Sequence, residues 1–386
     1  MSSSRQLLRG SELRDRISFV SWDEEVRHIR VAHPGESFAG WLPCTSDYDE
    51  GPAVLMDFDS ATGTLLFITE ADKVTLNEDS SCAFAQLPSL ESIDFEGFDA
   101  SKVRRAVSMF ARCPLLDVID LTCWNVQDLH DASFMFAGCT GLLAINLAGW
   151  DRARLGDAKF MFSGCTSLSL VFPTQLDLSG VESVWCMFHN CTSLEEIDLE
   201  GLDLSSAVRA SGMFKGCSSL RRVDARDMRL GSTRFMDGMF EDCAALESLD
   251  ASGWDTSSAE NMKKIFHGCK SLRELDLSGW DTSRVTTIEN AFSLCDSLER
   301  VNVANWDVRT VENADQLFMH CRRLRELDLS GWRPESLRWA SWALVGCRSL
   351  ERVDVRGFDE LGKTDMLELE RTVPQLFARV ASNERG

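Results

Sequence analysis

The sequence predicts an α/β solenoid: about eleven coils of 26 residues, with a parallel β-sheet along one side and short helices along the other. Two observations indicate this fold. Ten cysteines recur at intervals of 26 residues, and a leucine stands three residues after each of them. Self-similarity at a fixed period is typical of stacked repeats. The 26-residue period is therefore stronger evidence for the fold class than any other signal in the sequence. The ten cysteines, here called the cysteine ladder, are Cys113, Cys139, Cys165, Cys191, Cys217, Cys243, Cys269, Cys295, Cys321 and Cys347.

A strand is predicted in the first half of each repeat. The motif L-x-x-L-x-L, as at Leu272, Leu275 and Leu277, alternates apolar and polar residues at its end, which is strand periodicity. Eleven residues after the cysteine stands a large apolar residue, as at Trp280. An earlier copy without a cysteine runs from 90 to 98 and brings the count to eleven units, from about 84 to 359.

A short helix is predicted in the second half of each repeat. Val285, Ile288, Phe292 and Cys295 are spaced three and four residues apart, as on one face of a helix. The residue before the cysteine is often glycine, as at Gly268, which suits a left-handed helix C-cap. The intervening WDTS supplies Asp and Ser side chains that can cap the turn and the helix start.

The two ends of the chain are predicted to cap the solenoid, because an uncapped solenoid would expose its core and an edge strand. We assign residues 1–80 to an N-terminal region with a β-hairpin cap, 81–360 to the solenoid and 361–386 to a C-terminal helical cap. The hairpin is the pair of apolar runs in AVLMDFDSATGTLLFITE. The polar residues 1–16 are predicted to be disordered or to form a short helix, and a strand-like pattern begins at Ile17.

Pro173 interrupts one repeat at a position where other copies have an inward strand residue. Proline removes a ladder hydrogen bond from a sheet. We therefore expect a local break or bend, which unbroken strand pairing through 171–174 would refute.

The columns MFxGCxSLxxLDLSGWDTSxV resemble the BspA-like leucine-rich-repeat family of bacterial surface proteins. The resemblance covers residues 80–360. It rests on the Met-Phe pair before the cysteine, as at Met239 and Phe240, the Ser-Leu after it, and LDLSGWDTS at 275–283. It implies a leucine-rich-repeat fold, cell-surface display, and adhesion to proteins of a host or a neighbouring cell.

Composition favours a protein partner. The net charge of −21 repels nucleic acid and anionic membranes and would attract a basic protein surface. The N-terminal residues lack the apolar core of a signal peptide, no run of 18 apolar residues predicts a membrane helix, and no anchoring motif ends the chain. These features make the cytoplasm the default location, whereas the resemblance implies the cell surface or secretion.

No motif of catalysis is present. The sequence has no glycine-rich phosphate loop, no nucleophile elbow and no HExxH. We predict a non-enzymatic protein-interaction or adhesion module without a cofactor. The alternative is an intracellular recognition or sensor protein with an unrecognised activity in residues 1–80.

The cysteine ladder has four interpretations. We expect buried packing, because free cysteine is among the most buried residue types. Disulfides between neighbouring coils are the second, although stacked side chains point in parallel. The third is metal binding with His189, His267 or His320, which are not in adjacent coils, and the fourth is a catalytic thiol. No metal site is predicted.

A column of aspartates forms the candidate partner-binding site. The residue between the last two inward strand residues points outward, and it is Asp in eight of eleven copies. Either each Asp hydrogen-bonds local groups or pairs with an arginine two residues earlier, or the column binds a basic protein segment or cations. This acidic stripe comprises Asp94, Asp120, Asp198, Asp224, Asp250, Asp276, Asp328 and Asp354.

Two further columns alternate in charge from coil to coil, and therefore predict structural ladders that are poor candidates for a partner site. The first column, four residues after the cysteine, is Glu195, Arg221, Glu247, Arg273, Glu299, Arg325 and Glu351. The second, five residues after it, is Glu196, Arg222, Ser248, Glu274, Arg300, Glu326 and Arg352.

Overall fold

The computed structural model describes residues 3–21, 26–33, 36, 42–45 and 51–356. The chain divides into two compact units, a first of Met1–Val181 with Asn190–Thr192 and a second of Glu182–His189 with Ser193–Gly386. The helical cap predicted for residues 361–386 lies outside the described residues. Within the described ranges, none of the helices has the length and apolar character needed to cross a membrane.

The first unit begins with a region that joins a hairpin to the repeats. Its elements are β1 (Ser3–Gln6), α1 (Gly10–Ser21), β2 (His28–Val31), β3 (Leu42–Pro43), β4 (Val54–Asp59), β5 (Thr64–Thr69) and β6 (Lys73–Thr75). The repeats of this unit contain β7 (Ser92–Ile93), β8 (Phe98–Asp99), β9 (Val118–Asp120) and β10 (Ala144–Asn146). Strands β4 and β5 form the predicted antiparallel hairpin. Strand β2 pairs in parallel with both β5 and β7, so it links the hairpin to the first repeat.

Helix α1 corrects part of the sequence prediction. It ends at Ser21, so the strand-like pattern expected from Ile17 is wrong for residues 17–21. Leu13 and Ile17, four residues apart, are both buried, which is helical spacing.

The repeat strands are parallel, as predicted. The second unit contains β11 (Glu196–Asp198), β12 (Arg222–Asp224), β13 (Ser248–Leu249), β14 (Glu274–Asp276), β15 (Arg300–Asn302), β16 (Glu326–Asp328) and β17 (Arg352–Asp354). They pair as β11–β12–β13, β14–β15 and β16–β17, and within each pair a residue lies opposite the residue 26 positions later, as Ile197 lies opposite Val223. Strands β9 and β10 pair in the same way in the first unit. The fold is a leucine-rich-repeat-like solenoid, and the number of coils stays a prediction.

The short helices predicted in each repeat are wrong. Between residues 78 and 356, all of which are described, turns stand in their place. The N–H of Met135 donates to the carbonyl of Ala132 within its own coil, whereas the N–H of Phe136 donates to Met161 in the next coil. Alternate amides thus serve the turn and the neighbouring coil, which an α-helix could not allow because it directs every N–H to residue i−4.

Residues with positive φ explain why no helix forms in these segments. In each cysteine-containing coil, the residues five and one before the cysteine have positive φ, as at Phe160 (55°) and Gly164 (75°). A right-handed helix cannot continue through such a residue. The left-handed conformation predicted before the cysteine is confirmed, but it belongs to a succession of turns instead of a helix C-cap.

Pro173 breaks its repeat as predicted. A 3-10 helix spans Pro173–Gln175, and the neighbouring coil pairs here only through the isolated bridge of Ala144 with Leu170. Proline fixes φ and lacks an N–H, so it suits the first position of a helical turn and not a strand interior.

Stacked side chains fill the core of each unit. Phenylalanine rings pack face to face at 5.5 Å between centroids, for example Phe136 on Phe162 in the first unit and Phe214 on Phe240 in the second. Trp280 stacks on Trp306 at 6.3 Å. Because each coil presents the same side chains at the same height, the core consists of continuous apolar columns.

Candidate protein-binding surface

The cysteine ladder is a set of buried hydrogen-bond donors. All ten of its side chains are buried. Each Sγ lies within hydrogen-bond distance of the carbonyl of the residue 29 positions earlier, as Cys139 does with Phe110 at 3.0 Å. The same contact recurs from Cys113 with Phe84 to Cys347 with Phe318. The predicted packing role is therefore confirmed, and a hydrogen bond between coils is added to it.

Burial keeps several of these thiols protonated, whereas a hydrogen bond with Cys321 lowers the pKa of Cys347 at the end of the ladder. Burial raises the pKa of Cys113 to about 11 and the pKa of Cys165 to about 12, from an ordinary value near 9. A neutral thiol can donate its proton to a carbonyl, which a thiolate cannot do. Among the described residues, no group of three or more His, Cys, Asp or Glu is placed to hold a metal ion.

The aspartates of the acidic stripe bind local backbone. One carboxylate oxygen of each accepts the N–H of the residue two positions later, as Asp276 does from Ser278 at 3.0 Å and Asp328 from Ser330 at 2.9 Å. This is an Asx turn at the end of the strand. Hydrogen bonds from Ser278 lower the pKa of Asp276 below its usual value, so this side chain is ionised at neutral pH.

Arginine relieves repulsion at two points in the stripe. Asp198 lies opposite Asp224, and Asp328 lies opposite Asp354. Arg226 pairs with Asp224 at 3.0 Å, and Arg356 pairs with Asp354 at 2.6 Å. These hydrogen bonds lower the pKa of Asp224 and of Asp354. The paired arginine stands two residues after the aspartate, whereas the sequence suggested one standing two residues before it.

The second alternating column forms the predicted ion pairs. Glu196 pairs with Arg222, Glu274 with Arg300 at 3.5 Å, and Glu326 with Arg352 at 2.7 Å. These side chains are mostly exposed, so each pair contributes at most about 1 kcal/mol.

A shallow groove of about 650 Å³ lies on the strand face of the second unit. Two stripe aspartates, Asp276 and Asp328, line it together with Leu275, Val301 and Asn302. Its charged lining is completed by Glu274, Glu299, Arg300, Arg325, Glu326 and Glu351. The lining of the groove therefore contains six carboxylates and two guanidinium groups. We call this feature the acidic groove.

The acidic groove unites only part of the predicted site. Asp276 and Asp328 belong to it, whereas Asp94 and Asp120 belong to the first unit. Sequence reasoning misses the glutamates of the groove, because their columns alternate in sign and predict neutral ladders. The signal was present in the sequence: where the aspartate column runs beside two alternating columns, negative charge exceeds positive charge.

The parallel coils and their exposed strand face place this protein among the leucine-rich-repeat-like solenoids. The chain belongs to the family described as "Mycoplasma protein of unknown function, DUF285", whose family model matches residues 78–174, 174–248 and 234–353. The BspA-like affiliation stays a prediction.

Two solved structures show similarity at low TM-score. One is the Toll–Spatzle complex of Drosophila, with a TM-score of 0.26 and 16% identity over 74% of this chain and 39% of that chain. The other is the TLR13–ssRNA13 complex, with a TM-score of 0.24 and 15% identity over 81% of this chain and 53% of that chain. This chain thus spans less than two thirds of the length of either. No curated protein matches it.

Proposed function

We propose that this protein is a non-enzymatic protein-binding module that holds a basic protein segment in the acidic groove of its second unit. The observation that carries the proposal is the groove lining of six carboxylates against two arginines. Such an excess of one charge attracts and orients a partner of opposite charge. The groove is open, so it suits an extended segment better than an enclosed small molecule.

The aspartates of the groove are held in place before a partner arrives. One oxygen of Asp276 and one of Asp328 are occupied by the amides of Ser278 and Ser330. These bonds restrain the side-chain rotamers, so little conformational entropy remains to be lost on binding. Lysine or arginine of a partner would then bind carboxylates that are already oriented.

Adhesion at a cell surface is the finer form of the proposal, and it rests on the resemblance of the repeats to the BspA-like family. Fractionation of cells expressing the full chain tests the location. Recovery only from the soluble interior would contradict a surface role and leave recognition inside the cell.

Asparagine substitutions test the groove. The variant Asp276→Asn/Asp328→Asn removes two charges and keeps the oxygen that accepts the local amide, so the fold is retained. The control Asp255→Asn/Asp281→Asn removes two exposed aspartates of the same unit that also accept amides at i+2, but that lie outside the groove. The probe is a fluorescent Lys- and Arg-rich peptide, titrated by anisotropy at several salt concentrations.

The groove variant is expected to bind the basic peptide several-fold more weakly and with less salt dependence, whereas the control variant binds it like the unmodified chain. Equal affinity of the groove variant and the unmodified chain would overturn the proposal. So would equal binding of a peptide with Glu in place of Lys and Arg.

A further inference from the structure

The strand face of the first unit carries exposed apolar side chains in neighbouring coils. Val118 of β9 lies opposite Ala144 of β10, and Ala144 pairs in turn with Leu170 of the next coil. Phe172 follows Leu170 by two residues and therefore points to the same face. Val118, Leu170 and Phe172 are 56%, 51% and 44% exposed.

Two further leucines extend this surface. Leu143 immediately precedes Ala144, Leu115 lies three residues before Val118, and both are exposed. The described residues contain nine exposed large apolar side chains, and five of them lie in this one segment. Single exposed apolar residues are ordinary, whereas a cluster marks an interaction site. We call Leu115, Val118, Leu143, Leu170 and Phe172 the apolar patch.

The fold does not require apolar residues at these positions. In the second unit, the column equivalent to Val118 and Leu170 contains Glu196, Arg222 and Glu274, and its strands pair in the same register. Charged side chains are therefore compatible with the coil. Since exposed apolar side chains add little to the stability of the isolated chain, a partner that covers them accounts for their presence.

Negative charge borders the apolar patch. The strand segments 88–96, 114–122, 140–148 and 166–174 contain five carboxylates and no lysine or arginine. Asp117 adjoins Val118 in the chain, and Asp120 follows Val118 by two residues on the same face. The remaining three carboxylates are Glu91, Asp94 and Glu96.

We propose that the apolar patch docks a segment of a partner protein in which apolar side chains stand next to Lys or Arg. The apolar side chains would cover Leu170 and Phe172, and the basic side chain would meet Asp117 and Asp120. A second copy of this chain fits poorly, because pairing two such faces would bring their carboxylates together. The apolar patch shares no residue with the acidic groove, and most of its binding energy would come from apolar contact instead of charge.

The full chain is tested with three fluorescent peptides of equal length. One carries Leu and Phe next to Lys, one carries Leu and Phe next to Glu, and one carries Ser next to Lys. The variants are Leu170→Ser/Phe172→Ser, Asp117→Asn/Asp120→Asn and the control Phe19→Ser, which changes a 58% exposed phenylalanine on α1. Thermal unfolding of each variant checks that the fold is unchanged, as exposure of these side chains implies.

The Leu/Phe–Lys peptide is expected to bind most tightly. The change Leu170→Ser/Phe172→Ser should weaken its binding by about tenfold or more. The change Asp117→Asn/Asp120→Asn should weaken it several-fold and abolish the preference over the Glu peptide. Phe19→Ser should leave it unchanged. Repeating the comparison in the Asp276→Asn/Asp328→Asn background separates the patch from the proposed function of the groove, because the effect of Leu170→Ser/Phe172→Ser should persist there.

Four results would overturn the proposal. They are absence of binding by the Leu/Phe–Lys peptide, equal binding of the Ser peptide, equal binding of the Glu peptide, and unchanged affinity of Leu170→Ser/Phe172→Ser. Analytical ultracentrifugation of the chain alone tests whether a second copy covers the patch. A dimer that dissociates on Phe172→Ser would assign the patch to that second copy and overturn the proposal.

Discussion

The thiol of Cys295 donates a hydrogen bond to the backbone carbonyl of Phe266, 29 residues earlier, with Sγ and O 3.1 Å apart. The same carbonyl accepts the N–H of Cys269 at 3.2 Å. One acceptor thus closes a turn in its own coil and ties that coil to the next. Repetition of this arrangement makes the cysteine ladder a structural part of the repeat.

Replacing one ladder thiol should destabilise the fold. We expect Cys295→Ala to lower the free energy of unfolding by about 1–2 kcal/mol, because it removes a buried hydrogen bond and leaves a small cavity. Urea unfolding followed by tryptophan fluorescence measures the change. The control is Cys123→Ala, which removes an exposed thiol whose Sγ lies 3.8 Å from the carbonyl oxygen of Phe95. This change should cost less than about 0.5 kcal/mol. Equal losses would contradict the structural role of the ladder.

Alkaline pH should weaken the fold through the same thiols. Burial raises the pKa of Cys295 to about 12, whereas an unfolded cysteine titrates near 9. Above pH 9 the unfolded chain therefore releases protons that the folded chain retains, and stability present below pH 9 is lost as pH rises towards 12. Urea midpoints measured from pH 8 to 11 should fall, and should fall less steeply for Cys295→Ala. Identical slopes would mean that this thiol does not contribute.

Substitution by phenylalanine should lower the free energy of unfolding by different amounts at two buried tryptophans. Nε1 of Trp280 donates to the carbonyl of Ala251 at 2.9 Å, whereas the buried Nε1 of Trp124 has no hydrogen-bond partner within the described structure. Trp280→Phe should therefore cost about 1 kcal/mol more than Trp124→Phe, which loses no hydrogen bond and removes an unsatisfied donor. Both rings stack in their columns, so the loss of packing is similar. A larger loss for Trp124→Phe in chemical unfolding would refute this.

Replacing a glycine by alanine measures the free-energy cost of the left-handed backbone conformation in these turns. Gly164 has a φ of 75°, and a Cβ placed there would lie 3.6 Å from the nearest atom, the Cα of Gly138. Since there is room for the methyl group, Gly164→Ala should lose about 1 kcal/mol from backbone conformation alone. In the matched change Gly253→Ala, the Cβ meets nothing within 4 Å and the backbone is not left-handed, so no loss is expected. Thermal unfolding of both variants compares them.

The strands and the inward columns were predictable because they recur in every repeat. Residues such as Leu275 and Trp280 are buried in the coil as their spacing predicts. The turns were not predictable, because apolar residues three and four apart suit consecutive turns as well as a helix. Positive φ at Phe160 and Lys264 carries no signal in the residue type, since neither side chain favours the left-handed region.

The surface features depend on register. The glutamates of the acidic groove come from neighbouring coils, and only parallel pairing with a 26-residue offset brings Glu274, Glu299 and Glu326 to one place. The apolar patch was visible in sequence as Val118 and Leu170 at positions that carry charge in later repeats. Its exposure became evident only when the strands were placed side by side.

The thiol-to-carbonyl offset also bears on how such a chain can change during evolution. The 29 residues between Cys295 and Phe266 are one whole repeat and three residues more. Duplication or loss of one complete repeat therefore re-forms every such bond, whereas an insertion of 25 residues would misplace the bonds that span it. The binding face can consequently lengthen or shorten by whole repeats in a single genetic event, and each new copy is free to acquire its own outward side chains.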